Sequence, residues 1–166
     1  LKTKIPAVFL DRDGVINKEY PNKHYQNPLE VIEGTIDAVK KINEKGFLSV
    51  IVTNQSAVAK GMVTIDKVEK DHKRLEYLFG VHGSYFDRIY YCPYYPIRGF
   101  KNEIKKYKKK SSLRKPNNGM LLKAINDLNI DKKKSYMVGD RNTDYLAAKK
   151  TGVKFIIVGN KFKIKG

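Results

Sequence analysis

Five short apolar runs punctuate the chain, and stretches with helical spacing separate them. Ala7 to Leu10, Phe47 to Val52, Arg88 to Cys92, Ser135 to Val138 and Lys154 to Val158 are rich in branched and aromatic side chains and have the length of strands. In the first, Ala7, Val8, Phe9 and Leu10 leave no polar face, as a parallel strand covered on both sides requires. Between the runs, helices are expected at Thr35 to Glu44, ended by Gly46, and at Ile65 to Leu78 behind a Thr64 cap. Two more are expected at Gly119 to Leu128 and at Thr143 to Thr151, the latter ended by Gly152. Ile36, Val39, Lys40 and Ile42 keep the helical period in the first of them. This alternation predicts an α/β fold, a doubly wound, Rossmann-like parallel sheet with helices on both faces. No Pro/Gly/Ser linker divides the 166 residues, so a single domain spanning 1–166 is expected, with no insertion large enough for a cap domain.

The strand exits carry the polar residues. Asp11 and Asp13 follow the first run directly, in Asp11-Arg12-Asp13-Gly14, and two carboxylates at one strand tip repel each other unless a cation lies between them. A hard divalent ion such as Mg²⁺ satisfies both, although a lone motif of this form also closes ordinary acidic turns. The second run ends in Thr53-Asn54-Gln55-Ser56, where a hydroxyl, an amide and the following backbone N–H groups are suited to an oxyanion. Arg114 and Lys115 stand before Pro116 and the third helix, a planar fork beside a point charge. The fourth run exits through Gly139-Asp140-Arg141-Asn142-Thr143-Asp144. If it neighbours the first strand, Asp11, Asp13 and Asp140 meet at the topological switch where such sheets bind ligands. Asp144 reads equally well as a charge at a helix N-terminus or as support for a metal.

In this order and spacing the four pieces resemble the haloacid dehalogenase superfamily of phosphotransferases over nearly the whole chain. The strings DRDGVIN, TNQSAVAKG, RIYYCPYYP, RKPNNGM and YMVGDRNTDYLAA are similar to the D-glycero-D-manno-heptose-1,7-bisphosphate 7-phosphatases and the related histidinol-phosphate phosphatases. The resemblance implies Asp11 as nucleophile, Asp13 as general acid/base, and Thr53 and Lys115 as phosphate holders. It implies Mg²⁺ on Asp11, Asp140 and the Asp13 carbonyl, with Asn54, Arg114 and Arg141 facing the substrate. Arg114, Arg141 and the neighbouring lysines form a second cationic zone beyond Lys115. Two zones suit two anions, hence a heptose 1,7-bisphosphate over histidinol phosphate, whose far end is cationic. Many members of the subgroup also carry a zinc loop, C-x-H-x-P and later C-x-C. Here Cys92 remains, but Tyr94, Ser111 and Leu113 stand at the other ligand positions, and one thiol cannot build a tetrahedral zinc site. No structural zinc is therefore expected in the loop from Cys92 to Arg114, which with Lys18 to Glu33 should border a fairly open site.

Charge adds a rival. The chain has a formal net charge of +17, and Lys101, Lys105, Lys106, Lys108, Lys109 and Lys110 crowd one stretch. A polynucleotide 3'-phosphatase is the alternative this raises, since that family carries similar TNQ and RKP-x-x-GM motifs. The lysine run holds a single aromatic, Tyr107, and reads as a solvated loop, while a positive field also suits a small, doubly anionic sugar phosphate. A phosphorylated sugar is thus the expected partner, with neither nucleic acid nor membrane. One cysteine excludes an intrachain disulfide framework. With no signal-peptide pattern and no apolar run of membrane-spanning length, a cytoplasmic monomer is expected; a segment upstream of Leu1 stays open.

Overall fold

A strand with no polar face needs cover on both sides, and β1 (Ala7–Leu10) obtains it at the centre of a five-stranded parallel sheet, where all four residues are buried. The structure is a computed structural model that describes residues 3–20 and 25–159; residues 21–24 of the expected Lys18 to Glu33 border lie outside the described residues. Along the chain β1 is followed by α1 (Thr35–Glu44), β2 (Leu48–Asn54), α2 (Ile65–Gly80) and β3 (Arg88–Cys92). Then come α3 (Gly119–Leu128), β4 (Tyr136–Gly139), α4 (Asn142–Thr151) and β5 (Lys154–Ile157). The strand order β3-β2-β1-β4-β5, parallel at every pairing, reverses direction at β1 and makes the sheet doubly wound.

Alternation along the strands divides the core in two. Ala7, Phe9, Val50, Val52 and Met137 face α3 and α4, where Met120, Leu121, Ala124, Ala147 and Ala148 meet them. Val8, Leu10 and Ile51 face the other way, onto Val39 of α1 and Leu75 and Phe79 of α2. Burying one such side chain contributes roughly 1.5–3 kcal/mol, so both layers hold the strand tips in place. Thr64 caps α2 as expected, its hydroxyl accepting from the Lys67 N–H at 3.1 Å.

The expected elements all form, with boundaries that move for local reasons. β2 runs past Val52 because Thr53 and Asn54 still pair with Tyr91 and Cys92 of β3. β4 takes in Gly139, which pairs with Ile157. Between β3 and α3 a loop docks back on the chain after β2: the Ile104 N–H donates to the Ala59 carbonyl at 3.0 Å, and the Asn102 carbonyl lies where a Cβ on Gly61 would stand 1.7 Å from it. Its lysines are not uniformly solvated. Lys108 is buried, donates to the Ile97 carbonyl and lies 3.5 Å from Glu103, with its ammonium over the rings of Tyr95 and Phe100. Those aromatics sit before the run in sequence and meet it only after the loop folds, which is why the run alone reads as solvent-facing. Among the described residues no separate domain covers the carboxyl edge of the sheet, and no helix is long and apolar enough to cross a membrane.

Candidate active site

The register of three strands decides what gathers at the carboxyl edge. Leu10 pairs with Ile51 on one side and Val138 on the other, and the Asp11 N–H still donates to the Val138 carbonyl at 3.0 Å. The next residues of all three chains, Asp11 to Asp13, Val52 to Gln55 and Gly139 to Asp140, therefore emerge together. They open onto a cavity of about 560 Å³, the size of a small-ligand site, lined among others by Asp11, Asp13, Asn54, Arg114, Lys115 and Arg141.

At its floor lies Lys115, 2% exposed. Its ammonium stands 2.9 Å from Asp11 Oδ1 and 2.7 Å from Asp144 Oδ1, and donates to the Val52 carbonyl at 2.8 Å. Burial would pull the Lys115 pKa down, but the two carboxylates outweigh it and hold it above the ordinary value. For Asp11 burial wins: it pushes the carboxyl up to about 6 against the pull of Lys115, and Asp144 adds to the rise. Such a carboxylate gains from a further cation, and Asp11, Asp140 and Asp144 each offer an oxygen within 4.8 Å of the others. An all-oxygen set of this kind fits a hard divalent ion. Asp144 has other duties, because its Oδ2 also accepts the Arg141 N–H at 3.1 Å and caps α4. The structure thus gives it both a helix-capping part and a part in the site, through Lys115. Asp11 and Asp140 are the pair through which an ion would be held.

Asp13 is caged by donors. Its Oδ1 accepts from Arg12 Nε at 3.1 Å, Arg12 Nη2 at 2.9 Å and Asn17 Nδ2 at 2.9 Å, and its Oδ2 accepts from Gln55 Nε2 at 2.9 Å. Burial raises its pKa, but the Arg12 charge and these hydrogen bonds outweigh burial and hold it below the usual carboxylate value. Arg12 is itself 1% exposed, and its Nη1 donates to His72 Nε2 at 3.2 Å. Burial, reinforced by the Arg12 charge, pushes the His72 pKa down to about 3, so the ring is neutral and accepts that proton.

The expected residues thus meet, and the contacts of four of them add detail. Thr53 is buried and its hydroxyl accepts from Gln55 Nε2 at 3.0 Å, leaving its own proton to donate. Asn54, expected from the sequence to face the substrate, lines the cavity, and both ends of its amide engage the Lys115 backbone, Nδ2 donating to the carbonyl at 2.9 Å and Oδ1 accepting from the N–H at 3.1 Å. The backbone N–H of Gln55 is likewise taken, by the Cys92 carbonyl at 2.8 Å. Arg141 lines the cavity but pairs with Glu19. Sequence reasoning passes over Arg12, Gln55 and His72. A signal exists for His72, which shares the buried face of α2 with Val68, Leu75 and Phe79.

At the positions of the absent zinc ligands the side chains do other things. Burial raises the Cys92 pKa, Tyr94 and Leu113 pack against the α3/α4 side of the core, and Ser111 lies beside the thiol. This set does not fit a zinc ion, which needs four sulfur, nitrogen or carboxylate donors.

A doubly wound sheet that presents two aspartates from its central strand beside a buried lysine defines a haloacid dehalogenase-type phosphatase. A family model described as HAD-hyrolase-like matches residues 112–162. The chain is 42% identical over 149 residues to the D-glycero-beta-D-manno-heptose-1,7-bisphosphate 7-phosphatase of Haemophilus ducreyi, covering 89% of this chain and 79% of that protein. It is 39% identical over 144 residues to the enzyme of the same name from Escherichia coli K12, covering 87% and 73%. Among solved structures, the D,D-heptose 1,7-bisphosphate phosphatase of B. bronchiseptica, complexed with magnesium and phosphate, superposes with a TM-score of 0.78 at 25% identity, over 91% of this chain and 79% of the other. The chain belongs to the haloacid dehalogenase superfamily, in the family of the heptose-1,7-bisphosphate 7-phosphatases, and is a phosphoric monoester hydrolase.

Proposed function

We propose that this enzyme removes the 7-phosphate of D-glycero-β-D-manno-heptose 1,7-bisphosphate in a Mg²⁺-dependent reaction that passes through an aspartyl phosphate on Asp11. The observation that carries the reading is the joint opening of Asp11, Asp13 and Lys115 into one cavity at the sheet's carboxyl edge. The names and identities of the relatives support this choice of sugar and anomer.

Asp11 attacks phosphorus and splits hydrolysis into formation and breakdown of the acyl phosphate. Lys115 offsets the repulsion between two anions and, with the Thr53 hydroxyl, binds the equatorial oxygens where charge spreads in the transition state. Mg²⁺ held by Asp11, Asp140 and the Asp13 carbonyl would supply further charge neutralisation there. In its protonated form Asp13 gives a proton to the departing sugar oxygen, and as the carboxylate that its donors favour it then takes one from the attacking water. Its cage of Arg12, Asn17 and Gln55 fixes the carboxyl for both transfers. Asn54 holds the Lys115 backbone, and Arg114 and Arg141 border the space for the rest of the substrate. The loop from Cys92 to Arg114 stands without zinc, fastened by its aromatic and cationic contacts and its backbone bond to Ala59.

Phosphate release with Mg²⁺ should favour the heptose bisphosphate over histidinol phosphate and over a 3'-phosphorylated oligonucleotide. Asp11→Asn, nearly isosteric but unable to form an acyl phosphate, should abolish turnover in a folded protein. Asp13→Asn should slow it by about 10²–10⁴-fold. Near-normal turnover by Asp11→Asn would remove the nucleophile assignment, and preference for either rival compound would remove the substrate.

A further inference from the structure

Arg12 stands between Asp11 and Asp13, yet only the two aspartates line the cavity; the arginine is buried. Its guanidinium carries its donors in one rigid plane. Two of the nitrogens, Nε and Nη2, reach Asp13 Oδ1 at 3.1 and 2.9 Å. The third, Nη1, reaches Nε2 of His72 on α2 at 3.2 Å. Because the plane is rigid, the end held by His72 fixes the direction in which the other two nitrogens point. A buried donor left without an acceptor is costly, so loss of His72 would draw the guanidinium towards another acceptor and off Asp13.

Both ends of this link are anchored. The Arg12 carbonyl accepts the N–H groups of Val15, Ile16 and Asn17, which fixes the backbone that carries the side chain. The His72 ring meets the ring of Tyr91 on β3 edge-on, with centroids 5.3 Å apart, and the Tyr91 hydroxyl donates to Glu69, back on α2, at 3.1 Å. An imidazole held between helix and strand in this way offers its acceptor from one place, and burial keeps it neutral. The donors also sort the two oxygens of Asp13. Oδ1 takes Asn17 as well as both nitrogens of Arg12, whereas Oδ2 takes Gln55 alone and keeps room for a further partner.

We propose that His72 is a positioning residue for the chemical step, acting through Arg12 to hold Asp13 by Oδ1 so that Oδ2 meets the departing sugar oxygen. This rests on the reading of Asp13 as general acid/base. The proton passes from Asp13 to the sugar oxygen as the bond from that oxygen to phosphorus breaks and the bond from Asp11 to phosphorus forms. The water that later displaces Asp11 from phosphorus returns a proton to Asp13.

The leaving group provides the test. A sugar alkoxide needs a proton as it departs, whereas p-nitrophenolate is a far weaker base and leaves without one. Single-turnover release of heptose 1-phosphate from the bisphosphate is compared with release of p-nitrophenol from p-nitrophenyl phosphate in His72→Leu, His72→Gln, Arg12→Lys and Asp13→Asn, with thermal unfolding to confirm folding. His72→Leu should slow release of the sugar by about ten- to a hundredfold, the range for a misplaced catalytic group, and release of p-nitrophenol far less. His72→Gln, which returns an acceptor, should regain most of the loss. Arg12→Lys keeps the buried charge but not the plane, so it should show the same contrast as His72→Leu and reads the link from its other end. Asp13→Asn should show that contrast at its largest. Equal slowing of both substrates, or none, in His72→Leu or in Arg12→Lys overturns the positioning role while the contrast in Asp13→Asn stands. If Asp13→Asn itself slows both substrates alike, the acid/base reading fails and the positioning role fails with it.

Discussion

His72 shows how far a single residue's influence reaches. It is not among the residues lining the cavity of Asp11 and Lys115, yet it is the neutral acceptor for the arginine that fixes Asp13. In the unfolded chain its pKa is about 6.5, and in the fold it is about 3, so the unfolded state binds the extra proton in between. Its contribution to stability is complete above 6.5 and is lost as pH falls towards 3, at up to about a tenfold change in the folding constant per pH unit. His72→Gln keeps an acceptor for Arg12 but cannot titrate, so its stability should fall less steeply than the parent's between pH 6.5 and 4, measured by denaturant unfolding across that range. An identical slope would mean that the imidazole is not held neutral. The placement of Asp11, Asp13 and Asp140 was legible in the sequence because a strand exit needs no partner to be recognised, and that of Lys115 because its motif stands just before Pro116 and the third helix. Arg12, Gln55 and His72 were not. Their duties depend on contacts across 60 and 42 residues, Arg12 with His72 and Gln55 with Asp13, and an arginine between two acids looks like any surface charge until the fold buries it.

At the scale of elements, the loop between β3 and α3 brings Arg114 and Lys115 to the cavity, and it meets the chain after β2 at Gly61. Two costs would meet in Gly61→Ala: a backbone φ of +70°, which L residues resist, and a methyl group 1.7 Å from the Asn102 carbonyl. Gly46, at φ +75° with nothing within 4 Å of where a methyl group would stand, carries only the first of these. Gly46→Ala should therefore cost about 1–2 kcal/mol of stability, the penalty for a left-handed residue. Gly61→Ala should cost at least about 1–3 kcal/mol more, the range for overpacking, and should also raise KM for the bisphosphate. Equal losses in urea unfolding would show that the loop docks loosely. Strands and helices were readable from the period of apolar residues, since β1, α1, β3 and α3 begin and end where the pattern does. The end of β2 was not, because Thr53 and Asn54 are polar and are kept in the strand by hydrogen bonds to β3. Lys108 was hidden for a related reason: a lysine among lysines gives no sign that two rings and a glutamate will close around it.

The whole molecule carries a formal net charge of +17, and Lys60, Arg114, Lys115 and Arg141 line its cavity beside Asp11, Asp13 and Glu19. A positive field concentrates anions at the mouth of a cleft, and salt screens it over about 8–10 Å at physiological ionic strength. Raising KCl from about 0.05 to 0.5 M, which shortens the screening length severalfold, should lower kcat/KM for the bisphosphate more than for a monophosphate, with kcat itself little affected. Steady-state kinetics at the two salt concentrations measures this, and an equal change for both substrates would assign the charge to some other purpose. The open carboxyl edge has a consequence for the tempo of the reaction. Where a lid must swing away, departure of product often sets the pace of an enzyme. Here the reacting groups stand ready on fixed strand tips, and no covering domain has to be lifted among the described residues. A cycle on such an edge is expected to be timed by bond-making and by the leaving of inorganic phosphate from Lys115.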